Sequence, residues 1–357
     1  MGTIYSRTKI FHFKDKLDSL PKTVKEIMPP VHVRIKPTNI CNHSCRYCAY
    51  GKDNFNIFGK NQFERSYISK EKMTEIIDDL SAMGTKAVTF SGGGEPFLYP
   101  HFLDIVRKLV HTKIKFASLT NGSLLNGEIA QLFSSHGTWI RVSMDGWDNK
   151  SYSNYRRVKP GEFSKVISNL KNFKKLRCKC YMGVSLIVDK SNVKHVYKTL
   201  EILSDIGVDS VKISPCLVNE SSRDNNNYHK PFFTIVRRQI EKAEKNLVNK
   251  SFEVFNAYSE LDEKFEKDYE WCPYLQILPV IGADLNVYAC PDKAYNLKTG
   301  VLGSIKDQRF KDFWFSNKNN FFKINPAKQC NHHCETNQKN KLVLEYLNTN
   351  KEHLDFV

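Results

Sequence analysis

The residues with the clearest chemical potential in this sequence are its cysteines. There are 10 in a chain of 357 residues. Three of them fall in the run Cys41-Asn42-His43-Ser44-Cys45-Arg46-Tyr47-Cys48, a C-x3-C-x2-C spacing. Three thiolates this close on one loop can converge on a single metal centre, and iron–sulfur clusters are held by cysteine thiolates. A four-iron cubane with only three protein ligands leaves one iron open to a small chelating molecule. Zinc is the rival reading, although structural zinc sites favour a full set of four ligands. His43 lies between two of the cysteines, where its reach to the same metal is awkward.

A second set lies far downstream. Cys272 and Cys290 come first, then the C-x3-C pair Cys330 and Cys334. Four thiols in one loop-rich region can complete a site for zinc or for a [4Fe–4S] cluster. His332 and His333, inside the last pair, read as packing or supporting residues rather than ligands. Cys178 and Cys180 have two-residue strand spacing, share a face and read as core filling. Cys216 follows Ile213-Ser214-Pro215 at the end of a strand. Substrate-facing residues lie at that end of barrel strands, with a buried structural cysteine as the alternative.

The elements that must position these residues alternate between strand and helix from residue 31 onward. Val31-His32-Val33-Arg34-Ile35 alternates in polarity and stops at Lys36-Pro37. Ser69 can cap a helix that Gly84 ends. Strands are expected over 86–91, 113–119, 139–144, 180–188 and 210–214. Helices are expected over 101–111, 127–135, 163–176, 193–206 and 229–248. Such alternation implies parallel strands with right-handed crossovers. Six units in this length fit an open, partial (β/α)6 barrel of TIM-like type better than a closed eight-fold one. A Rossmann-like sheet is the rival, weakened because no G-x-G-x-x-G follows a strand. Beyond 250 the pattern becomes a smaller, loop-rich module with a β-hairpin over 276–288 around Gly282-Ala283-Asp284. The expected organisation is a lead-in over 1–30, the barrel over 31–250, the loop-rich domain over 251–338 and a tail over 339–357.

The ordered set of motifs resembles the radical S-adenosylmethionine (SAM) superfamily. After the cysteine loop, Ser91-Gly92-Gly93-Gly94-Glu95-Pro96 resembles that family's glycine-glycine-glutamate motif. Asn121 after the third strand, and Ser143 and Asp145 after the fourth, resemble its ribose- and methionine-contacting positions. The resemblance implies that Cys41, Cys45 and Cys48 hold a [4Fe–4S] cluster whose fourth iron is chelated by SAM. It implies reductive cleavage to a 5′-deoxyadenosyl radical that takes hydrogen from a substrate, with electrons from an external donor such as flavodoxin or ferredoxin. Gly92, Gly93 and Gly94 would let the backbone approach the cofactor. Glu95 would add charge or cap the loop, and Tyr47 would stack on or bond the adenine. Arg156 or Arg157 would pair with the methionine carboxylate or lie on the surface; Ile187 and Val188 would line the adenine pocket or pack in the core. The downstream cysteines resemble the SPASM/twitch extensions of this family, in the shorter twitch form. That implies one auxiliary [4Fe–4S] cluster on Cys272, Cys290, Cys330 and Cys334.

Composition narrows the partners. Hydrophobic residues at 41% and charged residues at 26% exclude a disordered or collagen-like chain. No apolar run reaches the length of a membrane span. The first residues do not read as a signal peptide, so a cytoplasmic location with reduced thiols is expected. The net charge of +16 favours an anionic small-molecule substrate, such as a phosphorylated one, or reflects a lysine-rich surface. No block of five or more like charges marks a nucleic-acid tail, so a nucleic-acid partner is not expected. The expected reaction is radical oxidation of a small polar metabolite, sugar-like or nucleotide-sugar-like, with the auxiliary cluster accepting an electron. The alternatives are crosslinking or epimerisation of a ribosomal peptide, and epimerisation with Cys216 as hydrogen donor. Only about 30 residues precede the first strand, which argues against a separate leader-binding domain.

Overall fold

The computed structural model describes residues 4–54, 57, 59–60, 65–176, 179–261 and 264–355. Its strands are β1 (His32–Ile35), β2 (Ala87–Phe90), β3 (Lys115–Thr120), β4 (Trp139–Ser143), β5 (Tyr181–Val188), β6 (Ser210–Pro215), β7 (Glu253–Asn256), β8 (Val280–Ile281), β9 (Asn286–Tyr288) and β10 (Val301–Ser304). The helices are α1 (Lys14–Asp18), α2 (Lys70–Met83), α3 (Phe102–Val110), α4 (Gly127–His136), α5 (Asn149–Arg156), α6 (Glu162–Lys175), α7 (Val196–Ile206), α8 (Ser222–His229), α9 (Phe233–Asn246), α10 (Phe310–Ser316), α11 (Pro326–Gln329) and α12 (Asn337–Asn348).

All ten strands form one sheet, in the order β10-β9-β8-β1-β2-β3-β4-β5-β6-β7. Each neighbouring pair from β1 to β7 is parallel. The expected partial TIM-like barrel is present, with β7 as a further parallel strand at the edge. Its four residues, Glu253-Val254-Phe255-Asn256, give too short a pattern to stand out in sequence. The hairpin of β8 and β9 forms as the turn residues predict. It joins the barrel sheet directly, because β8 pairs in parallel with β1 through Arg34↔Val280 and Ile35↔Ile281.

Alternation along the strands divides the sheet's two faces. Val33, Ile35, Val88, Ile140, Val184 and Ile213 are fully buried against the helices. The opposite face carries Arg34, Arg141, Ser143, Ser185 and Lys212, only partly buried. The crossover helices begin and end by ordinary local chemistry. Ser69 accepts from Lys72 N at the start of α2, and Gly84 closes it at φ 82°.

Two helical stretches differ from the sequence reading. The helix expected over 229–248 is divided into α8, a 3-10 turn over Lys230–Phe232 and α9. Pro231 occupies that turn, where its missing N–H breaks the ladder. Residues read as a C-terminal tail form α12 instead. Val343 and Leu347, one turn apart, pack with Ile10, Leu17 and Leu20 of the lead-in and with Tyr274 and Ile277. Gln276 Nε2 donates to the Leu20 carbonyl at 2.9 Å, fastening the same contact. Among the described residues no helix is long and apolar enough to cross a membrane.

Leu20 is fully buried in this cluster. Leu20→Ala should lower the free energy of unfolding by about 2–5 kcal/mol, measured by denaturant titration. An unchanged midpoint would show that the lead-in unfolds apart from the rest.

Candidate functional site

The loop after β1 carries Cys41, Cys45 and Cys48, and backbone hydrogen bonds lace it to the glycine loop after β2. Gly94 N donates to Thr38 O at 3.0 Å and Glu95 N to Ile40 O at 2.8 Å. Glycine is required at this crossing. A Cβ on Gly94 would lie 2.1 Å from the Ile40 carbonyl oxygen, and one on Gly92 1.9 Å from the Gly94 oxygen. The other side of the cysteine loop is tied to the end of α5: Ser44 N donates to Arg156 O at 3.1 Å and Arg46 N to Tyr155 O at 3.2 Å. α5 was not anticipated from sequence. Its signal is Asp148, which accepts from Ser151 N in a capping box whose return partner is Ser151 rather than the usual Glu or Gln.

Cys41, Cys45 and Cys48 line one cleft of about 650 Å³ with Gly92, Gly93, Gly94, Glu95, Asn121 and Ser143. The sequence motifs therefore converge on one place. Glu95 and Asn121 have structural partners there. Glu95 is buried and accepts from Thr120 Oγ1 at 2.6 Å, Asn121 N at 2.7 Å and Phe97 N at 3.2 Å. Burial pushes its carboxyl up to about 7, against three donors that favour the carboxylate. The Asn121 side chain donates to Asn42 Oδ1 at 2.7 Å and accepts from Ser123 N at 3.0 Å, tying the third turn to the cysteine loop.

Asp145 lies beside the cleft rather than in its wall. Its carboxylate accepts from Tyr47 OH at 2.6 Å, from Ile187 N at 2.8 Å and from Arg156. Arg156 and Arg157 both line the cleft; Arg156 is buried and pairs with Asp145, whereas Arg157 is exposed and pairs with Asp53 at 2.5 Å. Val188 is in the core, while Ile187 reaches a cavity. His43 is buried, with Nε2 3.7 Å from Glu162.

The second set also converges. Cys272, Cys290, Cys330 and Cys334 all line one small cavity of about 30 Å³, with Lys267, Lys293 and His332. Burial pushes the Cys272 thiol up to about 12 and Cys334 to about 11. In the first set Cys41 is exposed and Cys45 and Cys48 are half-buried, all three facing the cleft. Thiols gathered around one cavity in this way gain by binding a thiophilic cationic centre, which stabilises the thiolates. Both donor sets thus fit iron–sulfur clusters. Asp292 was not singled out from sequence. Its carboxylate, Cys290 Sγ and a His332 ring nitrogen lie within 4.8 Å of one another. Its offset of two residues from Cys290 was the available signal.

A third cavity of about 290 Å³ lies between the two cysteine sets. Tyr47 and Tyr50 line both it and the first cleft, and His332 lines both it and the four-thiol cavity. Cys216 is in its wall, together with Ile187, Lys60, Asp292 and Glu335. Burial pushes the Cys216 thiol up to about 12. Cys180 is in the core, as its strand spacing indicated. Cys178 lies outside the described residues.

Comparison with known proteins gives the class. Residues 35–203 match the family described as the radical SAM superfamily. An AdoMet-dependent heme synthase of Methanosarcina barkeri is 24% identical over 168 residues, 47% of this chain and 45% of that protein. The chain spans less than half the length of the curated relatives first in similarity. Among solved structures, Streptococcus suis SuiB bound to S-adenosylmethionine aligns at a TM-score of 0.64 and 16% identity, covering 94% of this chain and 80% of that one. An anSMEcpe structure with bound AdoMet aligns at 0.56 and 20%, covering 89% and 97%. The match to the radical SAM superfamily thus covers 35–203, just under half of the chain, and the fold of SuiB and anSMEcpe is shared over most of its length. The likeness in fold runs beyond residue 203 into the part that carries the second cysteine set.

Because the folded state holds the Glu95 proton more tightly than the unfolded chain, its contribution to stability falls as pH rises from about 4.5 to about 7. Glu95→Gln should remove that slope. It should also cost about 1–3 kcal/mol, because an amide cannot accept from all three donors. Denaturant unfolding at several pH values measures both.

Proposed function

We propose that the chain is a radical SAM enzyme whose substrate occupies the cavity between the two cysteine sets. The observation that carries this is the run of three cavities joined by shared walls, Tyr47 and Tyr50 at one junction and His332 at the other. In this reading Cys41, Cys45 and Cys48 hold the SAM-binding [4Fe–4S] cluster, and Cys272, Cys290, Cys330 and Cys334 hold an auxiliary one. The bound groups would supply a 5′-deoxyadenosyl radical on one side of the substrate and an electron acceptor on the other. Ser143 and the three glycines face SAM, and Tyr47 stands between SAM and substrate. Asn121, Glu95 and Asp145 keep the loops in place.

The cavity's volume suits a small metabolite. Its wall has the carboxylates Glu220, Asp292 and Glu335 and the amine Lys60. These groups recognise hydroxyls and amines, so a sugar-like ring is the substrate moiety placed here, and its oxidation is the reaction. An external electron donor would serve the first cluster.

A second reading rests on Cys216. Its thiol lines the cavity and, with its pKa pushed up, keeps its hydrogen at neutral pH. That is the form needed to return a hydrogen atom in an epimerisation.

Anaerobic reconstitution should give about eight irons per chain, four for each cubane. About four irons with stoichiometric zinc would remove the auxiliary cluster. Alanine at Cys41, Cys45 or Cys48 should abolish 5′-deoxyadenosine formation, followed by chromatography. Cys216→Ala should leave oxidation intact, whereas its loss of turnover, with 5′-deoxyadenosine still formed, would select epimerisation.

A further inference from the structure

The polar face of the sheet holds a second group of side chains that none of these roles uses. Strand register places Arg141, Gly183, Ser210 and Glu253 in one row across β4 to β7. Gly183 leaves a gap in that row. A Cβ there would come within 3.3 Å of Ser210 Oγ, 3.5 Å of Tyr5 OH and 3.6 Å of Arg141 Nε. Arg141 Nε, Ser210 Oγ and Arg34 Nε are buried and have no hydrogen-bond partner, and neither does one oxygen of Glu253. Beside them a cavity of about 270 Å³ is lined by Tyr5, Lys9, Lys212, Lys264, Glu335 and Lys339.

The charges here do not balance. Of the carboxylates in the cavity wall, Glu260 pairs with Arg7 at 3.0 Å and Glu335 with Lys212 at 2.9 Å. Lys9, Arg34, Arg141 and Lys339 form no ion pair among the described residues. They stand close enough to disfavour one another's charge. Burial, then Arg141, lowers the pKa of Lys9; burial lowers that of Lys339 against the pull of Glu335, with Lys212, Lys9 and Arg34 adding to the lowering. Five cations, Arg7, Lys9, Lys212, Lys264 and Lys339, line the cavity against two carboxylates, Glu260 and Glu335, and such an excess is stabilised by a multivalent anion.

We propose that this cavity is an oxyanion site that takes the diphosphate of a small ligand. The site stands on its own cations. Only its assignment to the substrate rests on the function proposed above. Glu335 lines both this cavity and the reaction cavity, so one ligand can span them. A sugar ring would meet Tyr47 and Cys216, and the phosphates attached to it would lie among Lys9, Lys212, Lys264 and Lys339. The excess positive charge of the chain then has a specific location, away from the carboxylates around the ring.

Isothermal titration of the reconstituted protein with inorganic diphosphate, at fixed ionic strength, should give saturable one-to-one binding. Lys9→Glu and Lys339→Glu, both at the cavity rim, should weaken it at least about tenfold without lowering the melting temperature. Equal affinity in the charge-reversed variants, or no saturable binding, would overturn the oxyanion site. Binding that persists in Cys41→Ala would keep the site independent of the radical chemistry. A uridine diphosphate sugar should bind more tightly than diphosphate. Equal affinities would retain the anion site and overturn its assignment to the substrate.

Discussion

The parallel pairing of β8 with β1 is the contact on which the rest of the molecule depends. β1 ends at Ile35 and feeds the first cysteine loop within six residues. Lys36 N donates to Ile281 O at 2.8 Å, so the hydrogen bonding continues past the strand's end. β8 in turn leads through β9 to Cys290. Two cysteine sets far apart in sequence are thereby attached to neighbouring strands, and the cavity between them is the space those strands leave. Without this pairing the chain would hold two unrelated thiol sites.

Much of the first site is legible in the sequence because its motifs are local. The C-x3-C-x2-C spacing, the glycine run and the residues after β3 and β4 each sit at a strand end, where a parallel fold gathers them. The cleft indeed contains Cys41, Cys45, Cys48, Gly92, Gly93, Gly94, Glu95, Asn121 and Ser143. Asp145 is the instructive exception. An acidic residue at the right position reads as a ligand contact, but its oxygens are taken by Tyr47, Arg156 and Ile187. Spacing reveals where a side chain is placed, and only packing reveals what else competes for it. The same limit hid α5, β7 and α12. Their local patterns are short or capped unusually, and they are held by contacts with distant segments.

Buried polar groups supply much of the precision around the cleft. Glu95 joins its own loop to the turn after β3, and Asp145 joins the cysteine loop to β5 and α5. Groups that are desolvated and fully bonded are costly to displace. They hold the loops in one arrangement before any ligand arrives, which reduces the ordering cost of binding.

The clasp between the lead-in and α12 has a consequence for biogenesis. Ile10, Leu17 and Leu20 find their partner Val343 only after all the intervening residues have been made. β1 likewise has an open edge until β8 emerges. During synthesis the first thiol loop must therefore remain exposed beside an incomplete sheet, and long-range pairings of this kind form slowly. Insertion of the proposed metal centres would meet a nascent chain whose first set of thiols is ready long before its second.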